Sequence, residues 1–133
     1  MLFFGISRDF SLLNEDQYNT IGAFWDEMAA IYGLENLAGL GYRWQNGVIS
    51  YAIGLKNGKI DGANLEIDLP DDDWTTVDGK TDNLKKIYDE IYKSGALKYE
   101  IETFTEDGRW EVIVADQLGN RAYFWKTVFP FLL

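Results

Sequence analysis

The chain is organised around one stretch that could do chemistry, Leu97-Lys98-Tyr99-Glu100-Ile101-Glu102-Thr103-Phe104-Thr105. Tyr, Ile, Thr and Phe suit a pleated, half-buried surface, and the Asp107-Gly108 turn follows at once, so the stretch reads as a strand. Alternation along a strand puts Glu100, Glu102 and Phe104 on one face and Tyr99, Ile101 and Thr103 on the other. If Glu102 faces the interior, it is a carboxylate beside an aromatic ring. A carboxylate buried in that way must be paired, protonated or kept for a cationic ligand.

The rest of the composition narrows the choice. There is no histidine and no cysteine among 133 residues, which excludes Ser-His-Asp and Cys-His catalysis, disulfides and cysteine-bound zinc. Acid–base work falls to Asp, Glu, Tyr or Lys. A formal net charge of −10 argues against nucleic acid and against anionic membrane surfaces. That charge is read first as a solvated acidic surface. Asp71-Asp72-Asp73 lacks the spaced ligands and glycine of a calcium loop and reads as a solvated loop, so no metal and no cofactor are expected. The apolar start Met1–Ile6 has no basic lead-in and is too short for a signal peptide. No stretch approaches the roughly 20 apolar residues of a membrane helix, and the expectation is a soluble, cytoplasmic protein.

The length and the 47% hydrophobic content fit one domain over residues 1–133. Phe3 to Phe10 reads as a first strand. Asn14, with Gln17 three residues on, predicts a capped helix start. Ile21, Phe24, Trp25, Met28, Ile31 and Tyr32 follow at helical spacing, and Gly33 closes the helix. Leu37–Trp44 and Val48–Lys56 form a hairpin on Asn46-Gly47. Leu40, Tyr42 and Trp44 are expected on one face of its first strand. In its second strand Ile49, Tyr51, Ile53 and Leu55 share a face, while Ser50, Ala52 and Gly54 leave room for a closely packed helix or ring.

Ala63–Leu69 alternates as a strand, Pro70 and the three aspartates interrupt it, and Trp74–Val77 resumes. Leu84, Ile87, Tyr88, Ile91 and Tyr92 repeat the helical spacing from Thr81 or Asp82 to Ser94-Gly95. The strand carrying Glu102 and its partner Trp110–Ala115 complete the pattern. Both halves, about 1–60 and 61–116, therefore run strand, helix, strand, turn, strand. The expected fold is α+β: a duplicated βαββ unit with pseudo-twofold symmetry, an antiparallel sheet, two helices behind it and a central cleft. The apolar tail, residues 121–133, is expected to pack on the domain or to serve a homodimer or protein partner.

Ile21-Gly22-Ala23-Phe24-Trp25, Leu37-Ala38-Gly39-Leu40-Gly41-Tyr42, Tyr51-Ala52-Ile53-Gly54 and Trp74-Thr75-Thr76-Val77 together resemble the GyrI-like effector-binding domain. That domain is the ligand sensor of AraC-type and MerR-type multidrug regulators. Within the family the chain is most similar to the stand-alone, integron-associated effector-binding proteins. The resemblance covers roughly Phe4 to Ala115 and implies two βαββ halves around an aromatic cleft with an acidic residue at its floor. The family's aromatic-Glu-x-aromatic strand pattern maps onto Ile101-Glu102-Thr103-Phe104 with Ile in the first place, or onto Tyr99-Glu100-Ile101-Glu102 with Glu in the last. Glu102 is favoured for the floor and Glu100 stands second. The segment before this strand is shortened to Ser94-Gly95-Ala96-Leu97, and the family's proline in the last strand is missing.

What the resemblance implies is binding of amphipathic, cationic small molecules in a cleft. Aromatic faces stabilise a desolvated cation, and a full negative charge adds the long-range term. Candidate walls are Trp25, Tyr42, Trp44, Tyr51, Trp74, Phe104 and Trp110. Two other classes stay open: a hydrolase of strained small molecules using the cleft glutamate as base, and an acidic protein-interaction module of the gyrase-inhibitor type. No helix-turn-helix fits in the chain.

Overall fold

A computed structural model describes the backbone of residues 2–69, 75–80, 97–104 and 109–116, with side chains over 2–69 and 99–104. The protein is α+β. Its elements are β1 (Leu2–Ser11), a 3-10 turn (Leu13–Glu15), α1 (Gln17–Tyr32), a second 3-10 turn (Leu34–Asn36), β2 (Leu37–Gln45), β3 (Val48–Leu55), β4 (Leu65–Asp68), β5 (Thr75–Lys80), β6 (Leu97–Phe104) and β7 (Arg109–Asp116). The seven strands form one sheet in the order β4-β1-β3-β2-β6-β7-β5, and every pairing is antiparallel. Among the described residues no helix is long and apolar enough to cross a membrane. The predicted second helix, Trp74, the Asp107-Gly108 turn and the tail lie outside the described residues.

The β2–β3 hairpin forms as its sequence predicts. Asn46 at φ 54° and Gly47 at φ 75° make a two-residue turn whose twist matches that of the flanking strands. Gly33 at φ 84° ends α1, with its N–H bonded to the Ala29 carbonyl at 2.9 Å. The start of α1 differs from expectation. Asn14 and Glu15 sit in the left-handed region, at φ 54° and 60°, and the helix begins only at Gln17. Asp16 stands at the N-cap position without a side-chain cap bond, so the predicted box between Asn14 and Gln17 does not form. An asparagine tolerates that backbone because its short amide bonds locally, and the tight turn it permits leaves the Gln17 side chain free for another use.

One face of the sheet packs under α1. Phe24, Trp25 and Met28 from the helix meet Leu37, Ile49, Tyr51, Ile53 and Ile60 in one buried cluster. Ile31, expected on this face, is instead 67% exposed. Arg8 ties β1 to the helix: its guanidinium forms a two-pronged pair with Glu27 at 2.8 and 3.2 Å and lies 4.2 Å from the Phe24 ring centre. The opposite face buries Phe3, Ala38, Leu40, Ala52 and Leu69. The small residues of β3 serve close approach as predicted: an added Cβ at Gly54 would collide with the Phe4 carbonyl and lie 3.2 Å from the Phe3 ring.

A bulge in β2 corrects the expected face of its aromatics. Gly41 pairs with Tyr51 and Arg43 with Ser50, which leaves Tyr42 as an extra residue. One unpaired residue reverses the alternation beyond it. Leu40 and Tyr42 therefore stay on the face away from α1, while Trp44 returns to the helix face opposite Ile49.

Candidate functional site

The floor of the candidate site is the middle of the sheet, where β2 and β6 meet. Gly39 pairs with Glu102 and Gly41 with Glu100, and both carboxylates are buried, 5% and 2% exposed. The two glycines make that possible. An added Cβ at Gly41 would lie 2.7 Å from Glu100 Cγ. At Gly39 it would collide with the Tyr51 hydroxyl and approach the Trp25 ring to 2.7 Å. A glycine on every second residue of a central strand clears a channel along one face, into which larger side chains from α1, β3 and β6 reach.

Those side chains form a relay. The Trp25 indole N–H donates to the Tyr51 hydroxyl at 2.9 Å, and that hydroxyl donates to Glu102 Oε1. Trp25 also stands edge-on to Phe104, with ring centres 4.8 Å apart at 77°. Burial first, then the charge of Glu102, the hydrogen bond to it and the charge of Glu100, push the Tyr51 phenol well above the usual tyrosine range. The Trp25 donor acts in the opposite sense.

Above this floor lies a cavity of about 320 Å³. That volume falls at the lower end of the range for small-molecule pockets. Its roof is one stripe of α1, namely Gln17, Tyr18, Ile21, Gly22, Trp25 and Asp26, and Leu34, Tyr51, Glu100, Glu102 and Phe104 complete the lining. Strand alternation thus places both glutamates and Phe104 on the cleft side, and the sequence alone had to choose between Glu100 and Glu102 where the structure brings both together.

Of the expected walls, Trp25, Tyr51 and Phe104 line the cavity. Tyr42 does not. It shares the face of Leu40, away from α1, where its hydroxyl pairs with Ser7 Oγ at 2.8 Å. Trp44 packs at the edge of the α1 core, away from the cavity lining. Trp110 sits in β7 opposite Phe104 in register, and Trp74 lies outside the described residues. The helix contributes residues that sequence reasoning passed over: Gln17, Tyr18, Ile21, Gly22 and Asp26. Gly22 carried a signal, because an exposed-side helix position has little use for glycine unless space is wanted there. A Cβ added to it would meet nothing within 4 Å.

Among the described residues no three His, Cys, Asp or Glu side chains gather as a metal site. What the arrangement offers is two buried carboxylates under an aromatic and aliphatic roof, with one carboxylate oxygen fixed by a phenol. No protein-family model matches the chain, and no curated protein or solved structure is similar enough to it to count as a relative.

Proposed function

We propose that this chain is an effector-binding domain of the GyrI-like type, taking amphipathic organic cations into the cleft between α1 and β6. The observation that carries the reading is the pair Glu100 and Glu102, both buried on the floor of a cavity whose walls include Trp25, Tyr51 and Phe104. Removing a carboxylate from water is costly, and a bound cation offsets that cost while displacing water from the cleft. Each ring face adds about 0.5–2 kcal/mol for a desolvated cation. Tyr51 fixes the geometry of Glu102, so the countercharge needs little reorganisation when the ligand arrives.

The strand order supports a duplicated βαββ unit. Inside the edge strand β4, the order inward is β1-β3-β2 from one side and, from the other edge, β5-β7-β6, with β2 and β6 paired next to one another. In each triplet the first strand of the chain is outermost, the third lies between, and the second is central, the arrangement expected of two copies about a pseudo-twofold axis. The cleft then lies over the join between the copies, and Glu102 and Gly39 face one another across it.

The test is a titration of tryptophan fluorescence with a lipophilic cation and its neutral isostere, since Trp25 is in the wall. The cation is expected to bind at least tenfold more tightly. Equal binding of the two would reduce the cleft to an apolar pocket, and consumption of the probe during the titration would favour a hydrolase.

A further inference from the structure

Resting on the cation-binding reading and sharpening it, we infer that Gln17 is a specificity residue that selects ligands whose cationic head carries N–H donors, such as primary ammonium or amidinium groups, over quaternary ammonium. Gln17 lines the cavity, is 9% exposed, and its side-chain oxygen is buried without a hydrogen-bond partner. A buried amide oxygen left unpaired is unfavourable, and native proteins rarely keep one without a use. Its position makes the use specific.

The order of groups along the cleft follows from the pairings. The Leu12 N–H bonds the Gly47 carbonyl at 2.8 Å, which fixes the lead-in to α1 beside the β2–β3 turn. The chain leaves α1 at Gly33 and enters β2 at Leu37, so the helix runs against β2 with Gln17 towards the turn. Glu102 is opposite Gly39, and Glu100 is opposite Gly41, two residues nearer that turn. Trp25, which reaches Glu102 through Tyr51, is eight residues beyond Gln17, about 12 Å along the helix axis. The cleft therefore has an apolar end at Leu34, Phe104 and Trp25 and a polar end that passes Glu102 and Glu100 towards Gln17.

A ligand lying along this axis has its apolar part by Phe104 and its charged head between the carboxylates and the Gln17 amide. The terminal torsion of glutamine is soft, so a small rotation turns the oxygen onto the cavity. A head with several N–H bonds can donate to a carboxylate and to this oxygen at once. A trimethylammonium head satisfies the charge but has no proton for the amide, and leaves its oxygen unpaired. Since the oxygen is already buried, a donor that reaches it gains a hydrogen bond with little further desolvation of the amide.

The test compares n-octylammonium with n-octyltrimethylammonium, both cationic at neutral pH, on wild type, Gln17→Met and Glu102→Gln. Methionine keeps the length and volume of glutamine without the acceptor. The expected result is that Gln17→Met weakens octylammonium about 5- to 15-fold, the effect of one hydrogen bond to a charged donor, and leaves octyltrimethylammonium within about twofold. Unchanged quaternary binding also reports an intact cleft. Equal weakening of both probes, or of neither, would overturn the role of Gln17. If Glu102→Gln still weakened both probes, the cation-binding reading would survive that failure. Absence of binding of either probe to wild type would remove both.

Discussion

The hydroxyl of Tyr51 in β3 donates to Glu102 in β6 over the intervening strand β2, and the same hydroxyl accepts from Trp25 on the helix above. A single oxygen thus joins β3, β6 and α1 at the point where the cleft is deepest. It does so away from bulk solvent, Tyr51 being 1% exposed. Hydrogen bonds in such a place are strong and unforgiving, because each donor or acceptor left over stays buried. The relay therefore serves both the fold and the orientation of the carboxylate.

Tyr51→Phe keeps the ring and deletes that oxygen. It leaves the Trp25 indole N–H without its acceptor and takes a donor from Glu102. The expected loss is about 1–3 kcal/mol of unfolding free energy, measured by urea denaturation. A loss below about 0.5 kcal/mol would mean that the relay contributes nothing net.

The raised Tyr51 pKa predicts a pH dependence of defined sign. The folded protein holds this proton more tightly than the unfolded chain, whose tyrosines titrate near 10. Stability from this group is complete below about pH 10 and declines as pH rises towards the native value, because the native state then binds the extra proton. Wild type should lose more stability than Tyr51→Phe between about pH 9 and pH 11. Parallel losses would contradict the assignment.

Gly22→Leu places a side chain in the open space of the cleft. Nothing lies within 4 Å of the added Cβ, and leucine is a better helix former than glycine by up to about 0.8 kcal/mol. The variant should melt at or above the wild-type temperature and lose ligand binding at least tenfold. Unimpaired binding would place the ligand elsewhere.

Gly39→Ala and Gly41→Ala separate structure from site. The first drives a methyl into the Tyr51 hydroxyl and the Trp25 ring, two rigid groups, and should cost about 1–3 kcal/mol in chemical denaturation. The second meets Glu100 at Cγ and Oε1, a flexible side chain that can turn aside. It should cost less stability than Gly39→Ala and should weaken cation binding by moving a carboxylate. The reverse order of stabilities would contradict this packing.

Much of the frame was legible because its signals are local. Asn46-Gly47 fixes a hairpin by backbone angle alone, and the spacing from Phe24 to Met28 fixes a helix by period. Alternation put Glu100, Glu102 and Phe104 on one face of β6 without knowledge of the partner strand. The face of Trp44 differs from the one alternation predicts because a bulge at Tyr42 adds one residue to the count, and no residue type announces it. The Asn-x-x-Gln spacing predicts a cap for Gln17, whereas left-handed backbone at Asn14 and Glu15 puts Asp16 at the N-cap position and Gln17 at the first residue of the helix. The neighbours of Gly39 and Gly41 are long-range, so their function as clearances appears only when β6 and α1 are in place.

The central claim is that the carboxylate at the cleft floor serves as countercharge, and Glu102→Gln tests it most directly. Octyltrimethylammonium binding would be measured by tryptophan fluorescence on wild type, Glu102→Gln and Glu100→Gln. The account predicts a loss of about 2–5 kcal/mol for Glu102→Gln, a smaller loss for Glu100→Gln, and no change for a neutral isostere in any of the three. Cation affinity that survives both substitutions unchanged would contradict it.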